Sequence, residues 1–150
     1  MQIIVFFLIL LLVLFLIIQS LLVVNNNIAK EKNRSIMMIL DKWLFLQQSG
    51  QSFDKLIEKK GYYNIAIYGF GILGKHLLKE IQTSDNVTVS FVIENKKKIT
   101  TDDILVISEN DHFPKADCII VTPINDYLFI KNRLSKKTDI SVLSITEFFE

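Results

Sequence analysis

The sequence predicts an α/β chain in which one apolar helix precedes a parallel β-sheet covered by helices on both faces. Three observations predict it. Residues 3 to 24 form an uncharged apolar run, short β-rich runs alternate with helical periods over residues 62 to 150, and a glycine-rich turn joins the first of those strands to the helix after it. All 17 Lys and Arg and all 16 Asp and Glu fall after residue 24, so the remainder is about 26% charged, an ordinary soluble composition. That composition excludes intrinsic disorder, a multi-pass membrane protein and a disulfide-stapled domain. A net charge of +1 argues against a nucleic-acid surface, which needs a clear excess of Lys and Arg.

The first element is the apolar run. From Ile3 to Val24 only Gln19 and Ser20 are polar, and 22 helical residues reach ~33 Å, enough to cross a hydrocarbon core of ~30 Å. A cleaved signal peptide fits less well: no Lys or Arg precedes the run, the run is too long, and Asn27 with Ala29 makes a poor cleavage site. Lys30, Lys32 and Arg34 follow it, which places the C-terminal side in the cytoplasm under the positive-inside rule. The expectation is a single-pass inner-membrane anchor over residues 3–24. Cys118, the one cysteine, suits a reducing compartment and sits in an apolar run as a packed core residue. The sequon-like Asn33-Arg34-Ser35 and Asn86-Val87-Thr88 would require a lumenal domain and carry little weight.

Residues 25–34 read as a basic polar linker and residues 35–61 as a helical connector. Ser35 is placed to cap a helix carrying Ile36, Ile39, Leu40 and Trp43, with Gly50 ending it. A second helix from Ser52 carries Phe53, Leu56 and Ile57 and stops at Gly61, a natural left-handed C-cap. The apolar patch Trp43-Leu44-Phe45-Leu46 is expected to pack on the domain that follows, with a homodimer contact as the alternative.

Residues 62–150 begin with the strand Asn64-Ile65-Ala66-Ile67-Tyr68, run into Gly69-Phe70-Gly71-Ile72-Leu73-Gly74, and continue as a helix with Leu73, Leu77 and Ile81 on its buried stripe. Strand, G-x-G-x-x-G, helix is the order of a Rossmann-like dinucleotide-binding unit. Gly69 allows the turn, Gly71 clears space for a diphosphate, and Gly74 lets helix and strand approach. The helix amides and dipole then form an anion site. A second strand, Val87 to Ile93, ends at Glu94, 20 residues past the last glycine, where a ribose-binding carboxylate belongs. That carboxylate favours NAD or a nucleotide sugar over NADP, although Lys96, Lys97 and Lys98 follow it.

Further strands are expected at Ile104–Ile107, Cys118–Thr122 and Ile140–Leu143. A helix from Asp126 to Lys136 is expected to turn Leu128, Phe129 and Leu134 inward, and a short Thr146 to Phe149 turn closes the chain. The expected sheet order is 3-2-1-4-5. Ligands bind such sheets outside the carboxyl ends of the first and fourth strands, which sets Thr122, Pro123 and Asn125 opposite the glycine loop. The candidate nucleotide-binding residues are therefore Gly69, Phe70, Gly71, Ile72, Leu73, Gly74, Glu94, Thr122 and Asn125. No metal site or catalytic group is expected. His76 and His112 are isolated, and the Y-x-x-x-K spacing of Tyr127 and Lys131 follows the wrong strand for short-chain dehydrogenase chemistry.

The residues Trp43-Leu44, Gly61 through Gly74, Phe91-Val92-Ile93-Glu94 and Asp117 through Thr122 resemble small Rossmann-like domains of bacterial capsule and cell-surface polysaccharide biosynthesis proteins. Similar domains lie beside glycosyltransferases and in front of sugar acyltransferases, where they bind a nucleotide sugar. The resemblance covers roughly the stretch from Trp43 to Phe149 and implies a nucleotide or nucleotide-sugar ligand and glycan-assembly enzymes as partners. This sequence departs from the pattern in having no attached transferase and in carrying Glu94 where Asp is usual. The alternatives are an NAD-dependent oxidoreductase or epimerase-like enzyme, and a nucleotide-sensing regulatory subunit of an ion transporter. For the last, the pore loop and second span of a channel are not in this sequence.

Overall fold

The computed structural model describes residues 1–94 and 104–149, so the lysine run at 96 to 98 lies outside the described residues. The chain divides into two units, residues 1–35 and 36–150. The first is wholly helical after Met1, and all but Ser35 in it are exposed. It belongs to helix α1, Gln2–Gln48, which is long and apolar enough to cross a membrane. A core helix of a soluble protein would bury its apolar side chains, and this stretch buries none.

The expected linker at 25–34 and helix start at Ser35 are not separate elements, because α1 runs straight through both. Nothing there breaks a helix: the first 48 residues hold no Gly or Pro. Ser35 does not cap; its hydroxyl donates back to the Glu31 carbonyl one turn earlier, at 3.0 Å. α1 ends where Gly50, at φ +74°, lets its own amide reach the Gln47 carbonyl and the Gln51 amide reach the Leu46 carbonyl, a Schellman cap. The short helix α2, Phe53–Lys59, ends in the same way at Gly61, φ +82°.

The second unit holds a five-stranded, all-parallel sheet in the order β3-β2-β1-β4-β5. Its strands are β1 Asn64–Tyr68, β2 Thr88–Ile93, β3 Val106–Ile107, β4 Cys118–Val121 and β5 Ser141–Ser144. β1 and β4 bury nearly every side chain, the pattern of central strands covered on both faces. Ile65, Ile67, Cys118 and Ile120 enter one core with α3 (Ile72–Ile81), α2 and the end of α1; Ala66, Tyr68, Ile119 and Val121 enter the other with α4 (Tyr127–Leu134). At ~1.5–3 kcal/mol for each large apolar side chain fully buried, these two layers supply the main drive to fold. The exposed carboxylate of Asp117 accepts from the Asn64 and Tyr63 amides, both at 2.8 Å, which holds its pKa below the usual carboxylate value and fixes the entry to β1.

α4 corrects one expectation. Leu128 and Phe129 are 71% and 69% exposed; the inward residues are Tyr127, Ile130 and Leu134. A tyrosine there carries both apolar surface and a hydrogen-bonding tip, so it takes the inward position and rotates its apolar neighbours out. Trp43 and Leu46 pack inward as expected, whereas Leu44 and Phe45 stay exposed on α1.

Glu80, on α3, fastens the layer. Its carboxylate accepts from Trp43 Nε1 at 2.5 Å and from the Phe53 amide at 2.5 Å, with Gln47 Nε2 at 3.4 Å. It thus caps α2, whose own N-cap Ser52 makes no capping bond, and it satisfies a buried indole. Glu80→Ala leaves that N–H buried without an acceptor, and we expect a loss of about 1–3 kcal/mol of stability in urea unfolding; a loss within error would show that the contact is dispensable.

Candidate functional site

β1 delivers the chain to Gly69 at its carboxyl end, and the Gly69 amide donates to the Ile93 carbonyl on β2 at 3.0 Å. Gly69 lies at φ +91°, and a Cβ there would meet Pro123 at 2.9 Å. A Cβ on Gly74 would lie 2.0 Å from the Gly69 carbonyl oxygen. The turn and the close helix approach therefore demand these two glycines. Gly71 differs. It has an ordinary φ of −78°, and no described atom lies within 4 Å of where its Cβ would be.

Gly71 is the N-cap of α3 and is exposed, as is Ile72. The amides of Gly71, Ile72 and Leu73 find no acceptor among the described residues. They are the unpaired donors that every helix start carries, at the positive end of its dipole. Phe70 and Leu73 contribute backbone only, since both side chains are buried in the core. The Phe70 amide is not bare: it donates to Glu94 Oε2 at 2.8 Å. Sequence spacing brought Glu94 to the right strand end but could not reveal this bond, which ties the acid to the loop it was expected to serve.

Thr122 is 5% exposed, and its hydroxyl lies 3.1 Å from the Tyr68 carbonyl and 3.0 Å from that of Gly69. Its amide also donates to Tyr68. It holds the turn in place from β4 and does not present its side chain to the open side. Asn125 is exposed in the 3-10 turn Ile124–Asp126 beyond β4. The structure thus gathers the six loop residues, Glu94 and Thr122 by direct contact, with Asn125 on the neighbouring turn.

Tyr68, the residue before the loop, faces the opposite layer. Its hydroxyl donates to Glu109 Oε2 at 2.7 Å and accepts from Arg133 Nη2 at 2.7 Å. Arg133 grips the same carboxylate through Nε and Nη2, at 2.5 and 2.6 Å, and Lys137 Nζ reaches the Glu109 carbonyl at 3.1 Å. Glu109 is buried, so this ion pair joins the connector after β3 to α4. Sequence reading missed it because its members lie up to 65 residues apart.

Lys131 Nζ does lie 3.1 Å from the Tyr127 hydroxyl. That hydroxyl sits 2.8 Å from Glu147 and 3.2 Å from the Val142 carbonyl. Burial raises the Tyr127 pKa, so the phenol stays protonated and faces structural acceptors. Cys118 is fully buried, and burial raises its thiol to about 12, which makes it inert. No group of three His, Cys, Asp or Glu gathers at metal-binding distance among the described residues. Compared with protein-family models, curated proteins and solved structures, the chain matches none.

Two measurements check this geometry. Gly74→Ala forces a methyl group into the Gly69 carbonyl, and we expect about 1–3 kcal/mol of destabilisation, or failure to fold; wild-type stability would refute the close approach. Burial first, and Glu109 second, push Tyr68 up to about 12 from 10.0. A raised folded pKa contributes stability that is complete below pH 10 and is lost as pH rises toward 12. Tyr68→Phe should flatten that alkaline decline, and an unchanged slope would show that another group titrates there.

Proposed function

We propose that residues 36–150 bind a nucleotide or nucleotide sugar at the glycine loop, and that residues 3–24 of α1 anchor the domain to the inner membrane with its C-terminal side in the cytoplasm. The observation that carries the binding reading is the contrast among three glycines. Two are demanded by the protein's own contacts, whereas at Gly71 neither backbone angle nor any described neighbour excludes a side chain. Glycine at such a position is accounted for by a ligand that must approach the backbone closely. A diphosphate suits it, because it can accept from the amides of Gly71, Ile72 and Leu73 and is favoured by the positive end of α3.

In that pose Glu94 Oε2 remains on the Phe70 amide, and the carboxylate lies beside the loop, where it accepts from ribose hydroxyls and repels a 2′-phosphate. The supporting features for the anchor are the uncharged span and the basic Lys30, Lys32 and Arg34 after it. A role as accessory to surface-glycan assembly rests on the resemblance to polysaccharide biosynthesis domains.

The test is calorimetric titration of the full chain in neutral lipid nanodiscs with NAD, NADP and a UDP-sugar. NAD or the UDP-sugar should bind, with NADP weaker. Gly71→Val should cost at least about 1.4 kcal/mol of binding, a tenfold loss, while the melting temperature holds, because φ −78° suits any residue. Absence of binding by all three, or an unchanged affinity in Gly71→Val, would overturn the reading.

A further inference from the structure

The crossover from β3 to β4, residues 108–117, contains no helix, unlike the crossovers through α3 and α4, so no packed helical stripe fixes it. β3 itself pairs with β2 over Val106 and Ile107, both half-buried, whereas strands usually run roughly 3–10 residues. At this short strand the Val92 amide donates to the Leu105 carbonyl and the Glu94 amide to the Ile107 carbonyl, both at 2.9 Å. The second bond holds the backbone of the residue whose carboxylate reaches the Phe70 amide in the glycine loop.

Two residues past Ile107 the chain is fastened again. Glu109 is 5% exposed, and its carboxylate accepts from the Tyr68 hydroxyl at 2.7 Å and from Arg133 Nε and Nη2 at 2.5 and 2.6 Å. Tyr68 directly precedes the loop, and its hydroxyl accepts from Arg133 as well, so the three side chains close a triangle. A buried ion pair adds little net stability over a well-packed apolar substitute, because desolvation offsets the attraction. What a forked guanidinium on a carboxylate does fix is orientation. The triangle ties the segment that holds Glu94 to the strand that carries the glycine loop.

We propose that Glu109, gripped by Arg133, is a positioning residue for the ligand site. Through Ile107 it sets the place of Glu94 relative to the loop, and so governs discrimination at the ribose while leaving the diphosphate contacts alone. The inference rests on the nucleotide reading above for its ligand, but not for its geometry.

The full chain in neutral lipid nanodiscs is measured in two ways, by residue-resolved amide exchange without ligand and by calorimetric titration with NAD and NADP. Glu109→Gln keeps an acceptor for Tyr68 but loses the charge. In it the Glu94 amide should lose protection, while the Thr122 amide, which donates to Tyr68 from the other side of β1, keeps its own. The preference for NAD over NADP should fall roughly fivefold, within the range by which residues that touch no ligand alter coupling. Arg133 is 36% exposed, so substitution there leaves the fold intact; Arg133→Gln should lose the preference, and Arg133→Lys, which keeps the charge, should restore most of it. Gly71→Val should weaken both ligands alike and leave Glu94 exchange unchanged. A protected Glu94 amide, or an undiminished preference, in folded Glu109→Gln and Arg133→Gln overturns the inference. If the wild-type chain binds neither ligand, the nucleotide reading fails and the ribose role falls with it, an outcome that the exchange measurement keeps distinct.

Discussion

The close approach of α3 to β1 is the constraint on which the site depends. The Gly69 carbonyl occupies the volume that a side chain on residue 74 would need. That contact sets how near the start of α3 comes to the sheet edge, and hence where its unpaired amides lie. Thr122 holds the same carbonyl from the end of β4, and Pro123 packs against Gly69 where a side chain there would point. Three chain segments therefore define one turn, and the parallel sheet carries that turn at the carboxyl ends of β1 and β4.

The outer part of the domain is organised around two carboxylates, the half-buried Glu80 and the buried Glu109, that each satisfy several partners. Glu80 serves an indole, a helix start and a glutamine. Glu109 serves a tyrosine, an arginine and a lysine. Each binds elements distant in sequence, which is why a deletion at either costs more than one hydrogen bond.

Local chemistry made much of this legible. The strand order, the glycine loop and both left-handed helix ends at Gly50 and Gly61 follow from residue type and spacing. The facing of Leu73, Leu77 and Ile81 followed from period alone, and all three are buried. The misplaced face of α4 shows where period fails: Tyr127 can be read as polar or apolar, and only the Val142 carbonyl and Glu147 waiting inside decide it. The continuity of α1 was obscured by composition, since a polar, basic stretch reads as a linker even when every residue in it tolerates a helix. At the site, spacing located Glu94 and Thr122, but their bonds to Phe70 and Gly69 are tertiary facts that no local pattern encodes.

On the proposed nucleotide reading, the bond from Glu94 to the Phe70 amide bears on the energetics of capture. The domain supplies an anion of its own to the turn, so part of the ordering of that backbone is achieved by the fold, and association with a nucleotide would carry a correspondingly smaller entropy cost.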